Sequence, residues 1–321
     1  MNKKAIVQLA VFAVAALLLV PVLFSGVARA DSGDRETSVN VQNKGGYFSI
    51  DSQSTNTVGP KNEYNMVFTG NTFLMQFKND SQTTGYSLQF SVQLENLTLV
   101  TSNGTVPLLN FSQQEFEVSS APMTMNGMEV FALSTESDMA RFIMTIQVVN
   151  APVSASLPNG TDSSLLTPNE VEISFYIVLL NQAEGGYQNM QMGAATHGGS
   201  IVLKLGLSAG NATVLGIANM SSYSQVEFHQ GKNSGYFAWD NVANEGGRNV
   251  TVVPSLSSNG TLSLVYPYAT TIIHDPAIGI SPSTITSLVT SSIGNIVIYA
   301  VTLAVSAVLI GGAIAFRRRR Q

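Results

Sequence analysis

The side chains of this 321-residue chain that could do chemistry are few: three histidines, no cysteine, and scattered carboxylates and methionines. His197, His229 and His274 lie in separate segments, and none falls in a metal-binding spacing such as His-Glu-x-x-His. His274 stands beside Asp275, and a carboxylate can fix an imidazole tautomer for ligation or base chemistry. Neighbours in an extended chain point to opposite faces, which works against that pairing. Methionines gather at Met123, Met125 and Met128 and again at Met190 and Met192. Thioethers joined by imidazole suit Cu(I) or an axial haem position, so His274, His229, Met190 and Met192 are the candidate metal ligands. The competing reading is methionine filling gaps in a core or loop. Without cysteine there is no Cys-x-x-Cys-His, which excludes covalent haem and thiol nucleophiles alike.

Carboxylates pair at Glu115 and Glu117 and at Glu170 and Glu172. Residues i and i+2 of a strand share a face, so each pair could hold Ca²⁺ or serve acid/base chemistry. The second pair runs on into Ser174 and Tyr176, the pattern of a solvated sheet face. The only tryptophan, Trp239, lies among Tyr236, Phe237, Asp240 and Asn241. That grouping suits stacking on a sugar, but Phe237 and Trp239 share strand parity and read as a core pair. Patterns for a nucleophile elbow, a dinucleotide or phosphate loop and an EF-hand are all absent. No catalytic residue and no cofactor is therefore assigned.

Nine Asn-x-Ser/Thr sequons, at Asn79, Asn96, Asn103, Asn110, Asn159, Asn211, Asn219, Asn249 and Asn259, are acceptors for N-linked glycans in an exported chain. Asn103, Asn159 and Asn259 are each followed by Gly-Thr, and Asn-Gly tolerates positive φ, so these three read as turns on which a glycan would stand clear of a sheet. The alternative is that a polar β-protein accumulates such tripeptides by composition.

The ends of the chain dictate the setting. Lys3 and Lys4, an apolar run from Ala5 to Phe24 and Ala28-Arg29-Ala30 form a secretory signal over residues 1–30, with the mature chain expected from Asp31. Residues 293–316 carry no charge, and 24 residues at ~1.5 Å each span the ~30 Å of a bilayer core. Arg317 to Arg320 follow within the tail 317–321, and the positive-inside rule holds that tail in the cytoplasm. The expected topology is single-pass type I in the plasma membrane, with the ectodomain outside. Within the span Ala307, Gly311 and Ala315 make a small-residue stripe suited to helix packing and self-association.

Only 11% of residues are charged, against an ordinary ~25%. Setting aside Lys3, Lys4, Arg29 and the four terminal arginines leaves eight basic and twenty acidic residues outside, a net of −12. Such a surface repels phosphate backbones, so nucleic acid is excluded as a partner.

Between the ends, alternation of period two recurs. Tyr86 to Leu94, Phe142 to Val148, Val171 to Leu179 and Ile201 to Leu207 each set apolar residues on one face. Short strands with Gly, Asn and Ser turns, and no long amphipathic helix, predict an all-β fold: a β-sandwich ectodomain, one large or two in tandem. The expected divisions are a polar leader (31–44), a first β region (45–150), a linker or long loop (151–168), a second β region (169–279) and a Ser/Thr-rich stalk (280–292).

These parts describe a membrane-anchored cell-surface glycoprotein acting in adhesion, envelope organisation or ligand binding, without catalysis. Its partners would be other copies of itself or other envelope proteins, met through a glycan-free patch on one sheet. A charge-poor exterior of Asn, Ser and Thr would stay soluble in acid, as an archaeal envelope requires. The alternative is an extracytoplasmic haem- or copper-binding electron-transfer domain using His and Met.

Overall fold

A computed structural model describes residues 35–42, 46–54, 62–79, 86–125, 128–156, 163–180, 199–210, 212–220 and 222–281. The expected signal peptide, membrane span and basic tail lie outside these residues, and so do His197, Met190, Met192, Asn159, Asn211, Ala307, Gly311 and Ala315. Among the described residues no helix is long and apolar enough to cross a membrane.

Nearly everything described is strand. In chain order these are β1 (Arg35–Gln42), β2 (Tyr47–Ser54), β3 (Asn62–Thr69), β4 (Thr72–Asn79), β5 (Leu88–Thr101) and β6 (Gly104–Asn110). A single 3₁₀ turn at Phe111–Gln113 precedes β7 (Glu117–Met125), β8 (Met128–Glu136), β9 (Ala140–Val149), β10 (Val153–Ser156), β11 (Ser163–Leu166) and β12 (Glu170–Leu179). Then come β13 (Ser200–Ser208), β14 (Thr213–Asn219), β15 (Tyr223–Gln230), β16 (Asn233–Asp240) and β17 (Val242–Glu245). The last are β18 (Arg248–Thr251), β19 (Val253–Leu256), β20 (Thr261–Pro267), β21 (Thr271–His274) and β22 (Pro276–Ile280).

Two antiparallel sheets result. The first runs β1-β2-β3-β4-β5-β13-β20-β19, with β6 also on β5. The second runs β14-β15-β16-β22-β12-β21-β17-β18, and β9 joins β8 and β7 to the free side of β12. β10 and β11 form a small separate hairpin. Pairing crosses the segment 151–168 in both sheets, through β5 with β13 and β9 with β12. One apolar cluster, drawn from both sheets, reaches from Phe48 to Ile280.

Alternation explains that core. Phe90, Val92, Phe142, Met144, Phe175, Ile177, Leu203 and Leu205 all lie buried between the sheets, as their spacing requires. Tyr86 does not join them, because β5 begins only at Leu88 and leaves Tyr86 exposed before it. Aromatic rings tie the layers together. Phe48 of the first sheet meets Phe131 of the second edge-to-face at 5.0 Å, and Phe90 stacks on Phe228 at 4.1 Å. Burying each such ring contributes roughly 1.5–3 kcal/mol. Gly235 makes room for the second pair, since a Cβ there would stand 2.4 Å from Phe90 Cε1. Two of the three predicted Asn-Gly turns fall among the described residues, at the β5–β6 and β19–β20 connections. Gly104 (φ 134°) and Gly260 (φ 83°) take the backbone conformations that L residues avoid.

Candidate binding face

β12 is the spine of the second sheet. Val171, Ile173, Phe175 and Ile177 face the core, so Glu170, Glu172, Ser174 and Tyr176 share the outer face. Directly opposite residues of antiparallel strands point the same way, which extends that face sideways. Glu170 lies opposite Gly279, Gly279 opposite Tyr236, and Tyr236 opposite Glu227. Glu172 lies opposite Gln147 on one side and Ala277 on the other, and Ala277 is followed by Ala238 and Gln225. Pairing with β12 is interrupted at Asp275, between β21 and β22, and the flanking registers place Asp275 between Ser174 and Asp240. The outcome is a floor of Ala238, Ala277 and Gly279 bordered by acids and tyrosines.

Hydrogen bonds organise its rim. Tyr236 Oη donates to Glu170 Oε2 at 2.5 Å, reaching across Gly279, where a Cβ would stand 2.6 Å from that hydroxyl. Glu170 Oε1 accepts from the Thr167 backbone N at 3.1 Å and from Thr167 Oγ1 at 3.0 Å. With its oxygens satisfied on both sides, Glu170 fastens the turn before β12 to β16. Farther along the face, Gln225 Nε2 donates to Glu227 Oε1 at 2.5 Å, and Glu227 Oε2 meets His229 Nε2 at 2.6 Å.

The solvated face expected of Glu170, Glu172, Ser174 and Tyr176 is corrected here: Glu172 is only 8% exposed and Ser174 is fully buried. Burial pushes the Glu172 carboxyl well above the usual carboxylate range, and the negative charges of Glu170, Asp275 and Asp240 push it further. Every charge acting on it has the same sign. Tyr176 is raised as well, by burial and then by Asp275. The Ser174 hydroxyl is buried without a hydrogen-bond partner among the described residues. Asp240 and Asp275 were visible in the sequence only as neighbours of Trp239 and His274. Their opposite parity to those two core residues was the available sign that they face outward.

His274 has a different place. It lies opposite Phe175, hence on the core face, and is completely buried. Its Nε2 donates to the Asp240 carbonyl at 2.8 Å, because a carbonyl can only accept. Its Nδ1 therefore accepts from Tyr266 Oη at 2.9 Å, which links β21 of the second sheet to β20 of the first. Burial holds its pKa down to about 4, so the ring is neutral, and both nitrogens are engaged, leaving no lone pair for a metal. Asp275, its sequence neighbour, points to the other side of the sheet. His229 is paired with Glu227 on the outer face. Met123 is exposed in β7 and Met128 half-buried in β8, and no His/Cys/Asp/Glu group among the described residues could hold a metal ion. Glu115 is exposed just before β7 and Glu117 is exposed at its start. Trp239 is buried 5.8 Å from Phe237, as a core pair would be.

The sequons sit elsewhere. Asn103, Asn110, Asn219, Asn249 and Asn259 are exposed, and Asn96 is half-buried on β5 opposite Asn110. Asn79 ends β4. Asn219 and Asn249 belong to β14 and β18, the outermost strands of the second sheet. None falls on the acid-and-tyrosine centre of that sheet formed by β16, β22 and β12.

No family model matches the chain, and neither does any curated protein. Among solved structures, a protein from the human microbiome named as a kojibiose phosphorylase aligns over 79% of this chain at 10% identity and a TM-score of 0.29. The alignment covers 33% of that protein's length, and likeness at this level carries no argument about fold or activity.

Proposed function

We propose that the chain is a membrane-anchored cell-surface glycoprotein that works by binding, and that its contact surface is the sequon-free centre of the second sheet's outer face. One observation carries this reading: the exposed sequons lie on other strands, while β15 and β16, which bring the half-buried Glu227, Tyr236 and Asp240 together on the outer face, carry none. Glycans would cover the flanks and leave that patch open to a partner in the same envelope. Anchored copies meet at high effective concentration, so contacts weak in solution suffice. The anchor, the outward orientation and the envelope setting rest on the two ends of the sequence.

The test is protease treatment of intact cells. It should release a glycosylated ectodomain, and substitution of Glu227 by Lys should weaken association between cells or copies without altering the far-ultraviolet spectrum. Release of the Arg317 to Arg320 tail from outside, or association indifferent to Glu227, would overturn the reading. Acid catalysis has one observation in its favour, the Glu172 carboxyl pushed above the usual carboxylate range by burial and by three other carboxylates. A turnover abolished by Glu172→Gln would select it. His274 cannot assist that chemistry, since the sheet lies between them.

A further inference from the structure

We infer that Asn110 is the preferred acceptor of an N-linked glycan and that its register partner Asn96 is left unmodified. The inference rests on the glycoprotein reading and names a site within it. Asn110 closes β6, and its sequon continues as Phe111 and Ser112. Both the backbone N–H of Ser112, at 3.2 Å, and the Ser112 hydroxyl, at 2.8 Å, donate to Asn110 Oδ1. The backbone N–H can only donate, so Oδ1 is the accepting atom and Nδ2 points away from the bend. Asn110 and Ser112 are exposed, whereas Phe111 is buried with its ring 4.9 Å from Phe142. The middle residue thus pins the tripeptide while its two reactive side chains face solvent.

An amide nitrogen is a poor nucleophile because its lone pair is delocalised into the carbonyl. Two donors on Oδ1 stabilise the charge that gathers there when Nδ2 gives up a proton, and that frees the nitrogen pair. The co-reactant is a lipid-phosphate-linked oligosaccharide. Nδ2 attacks its anomeric carbon, an N–C bond forms, and the C–O bond to phosphate breaks with its electron pair. The lipid phosphate leaves, and the proton from Nδ2 passes to a base of the transferase. No redox change occurs.

Among the sequons whose three residues are all described, no other has its own hydroxyl on its asparagine. Asn103 Oδ1 is met only by Ser102 Oγ at 3.5 Å. Asn259 Oδ1 takes the Thr261 backbone N–H at 3.4 Å and the hydroxyl of Ser257, which precedes it. Asn96 lies directly opposite Asn110, between it and Lys204, with its Oδ1 buried. Opposite side chains stand ~5 Å apart, so a sugar on Asn110 fills the space one on Asn96 would need.

The full-length protein, extracted from the membranes of the cells that make it, is digested and its glycopeptides are weighed intact. The ratio of modified to unmodified Asn110 is expected to exceed that of exposed Asn103 by about fivefold or more, the factor that one residue's pre-ordered backbone supplies at roughly 1 kcal/mol. Asn96 should carry no sugar. Phe111→Ala keeps the sequon but frees the bend, and should lower the Asn110 ratio towards that of Asn103. Equal ratios at Asn103 and Asn110 in the native protein, or sugar on Asn96 instead, overturn the inference and spare the glycoprotein reading. A chain bare at every sequon overturns both.

Discussion

Acidification should weaken the sandwich through one residue, His274. In the folded protein its pKa is held down to about 4 by burial, against 6.5 for the free side chain. Above pH ~6.5 the ring is neutral in both states, and the Tyr266–His274–Asp240 link contributes in full. Between 6.5 and 4 only the unfolded chain binds the proton, so stability falls as pH falls, by about 1.4 kcal/mol per unit. Below the folded pKa both states are protonated and the loss levels off near 3 kcal/mol, a large share of the ~5–15 kcal/mol that holds a domain together. Urea unfolding at a series of pH values measures it, with the emission of buried Trp239 as the probe, since the chain has no other tryptophan. His274→Gln keeps a donor and an acceptor but cannot titrate. The difference in unfolding free energy between native protein and variant should therefore change by about 3 kcal/mol from pH 7 to pH 4. Parallel curves over that range would mean that the imidazole is not held neutral in the core.

Glu172 pulls the other way. Its folded pKa is raised, so ionising it at neutral pH works against folding, and Glu172→Gln should raise the melting temperature near pH 7 while leaving it unchanged below the usual carboxylate range. A variant less stable at pH 7 would count against the buried, like-charged setting described for it. Gly235→Ala should cost about 1–3 kcal/mol, because its Cβ would overlap Phe90 and press on the Gly279 carbonyl at 3.0 Å. Denaturant midpoints equal to those of the native protein would show that Phe90 can give way.

What the sequence reveals here is parity, and what it hides is pairing. Alternation from Phe142 to Val148 and from Val171 to Leu179 fixes which side chains face inward, because one buried face imposes a period of two. It does not say what lies beside the outward residues. Glu172 reads as solvated until Gln147 and Ala277 are seen on either side of it, brought there from strands far away in sequence. His274 shows the same limit. Its visible neighbour Asp275 turns out to face away, and its partners are a tyrosine eight residues back and a backbone carbonyl 34 residues back, which no composition or spacing marks. Trp239 succeeded where these did not, since one shared parity with Phe237 was enough to place it.

The place of β22 bears on how the molecule carries force. This strand, the last among the described residues, is an interior one, bonded to β16 on one side and to β12 on the other. At its exit the chain is held on both flanks, by Ile280 N to the Asn169 carbonyl at 3.0 Å and by Ser281 N to the Ser234 carbonyl at 2.9 Å. A pull on the C-terminal segment enters the sandwich along β22, so the bonds of both ladders are loaded together in shear. An edge strand under the same pull would unzip one bond at a time. Tension applied there is borne by the middle of a sheet, and drawing the strand out means taking buried Ile278 and Ile280 from the core.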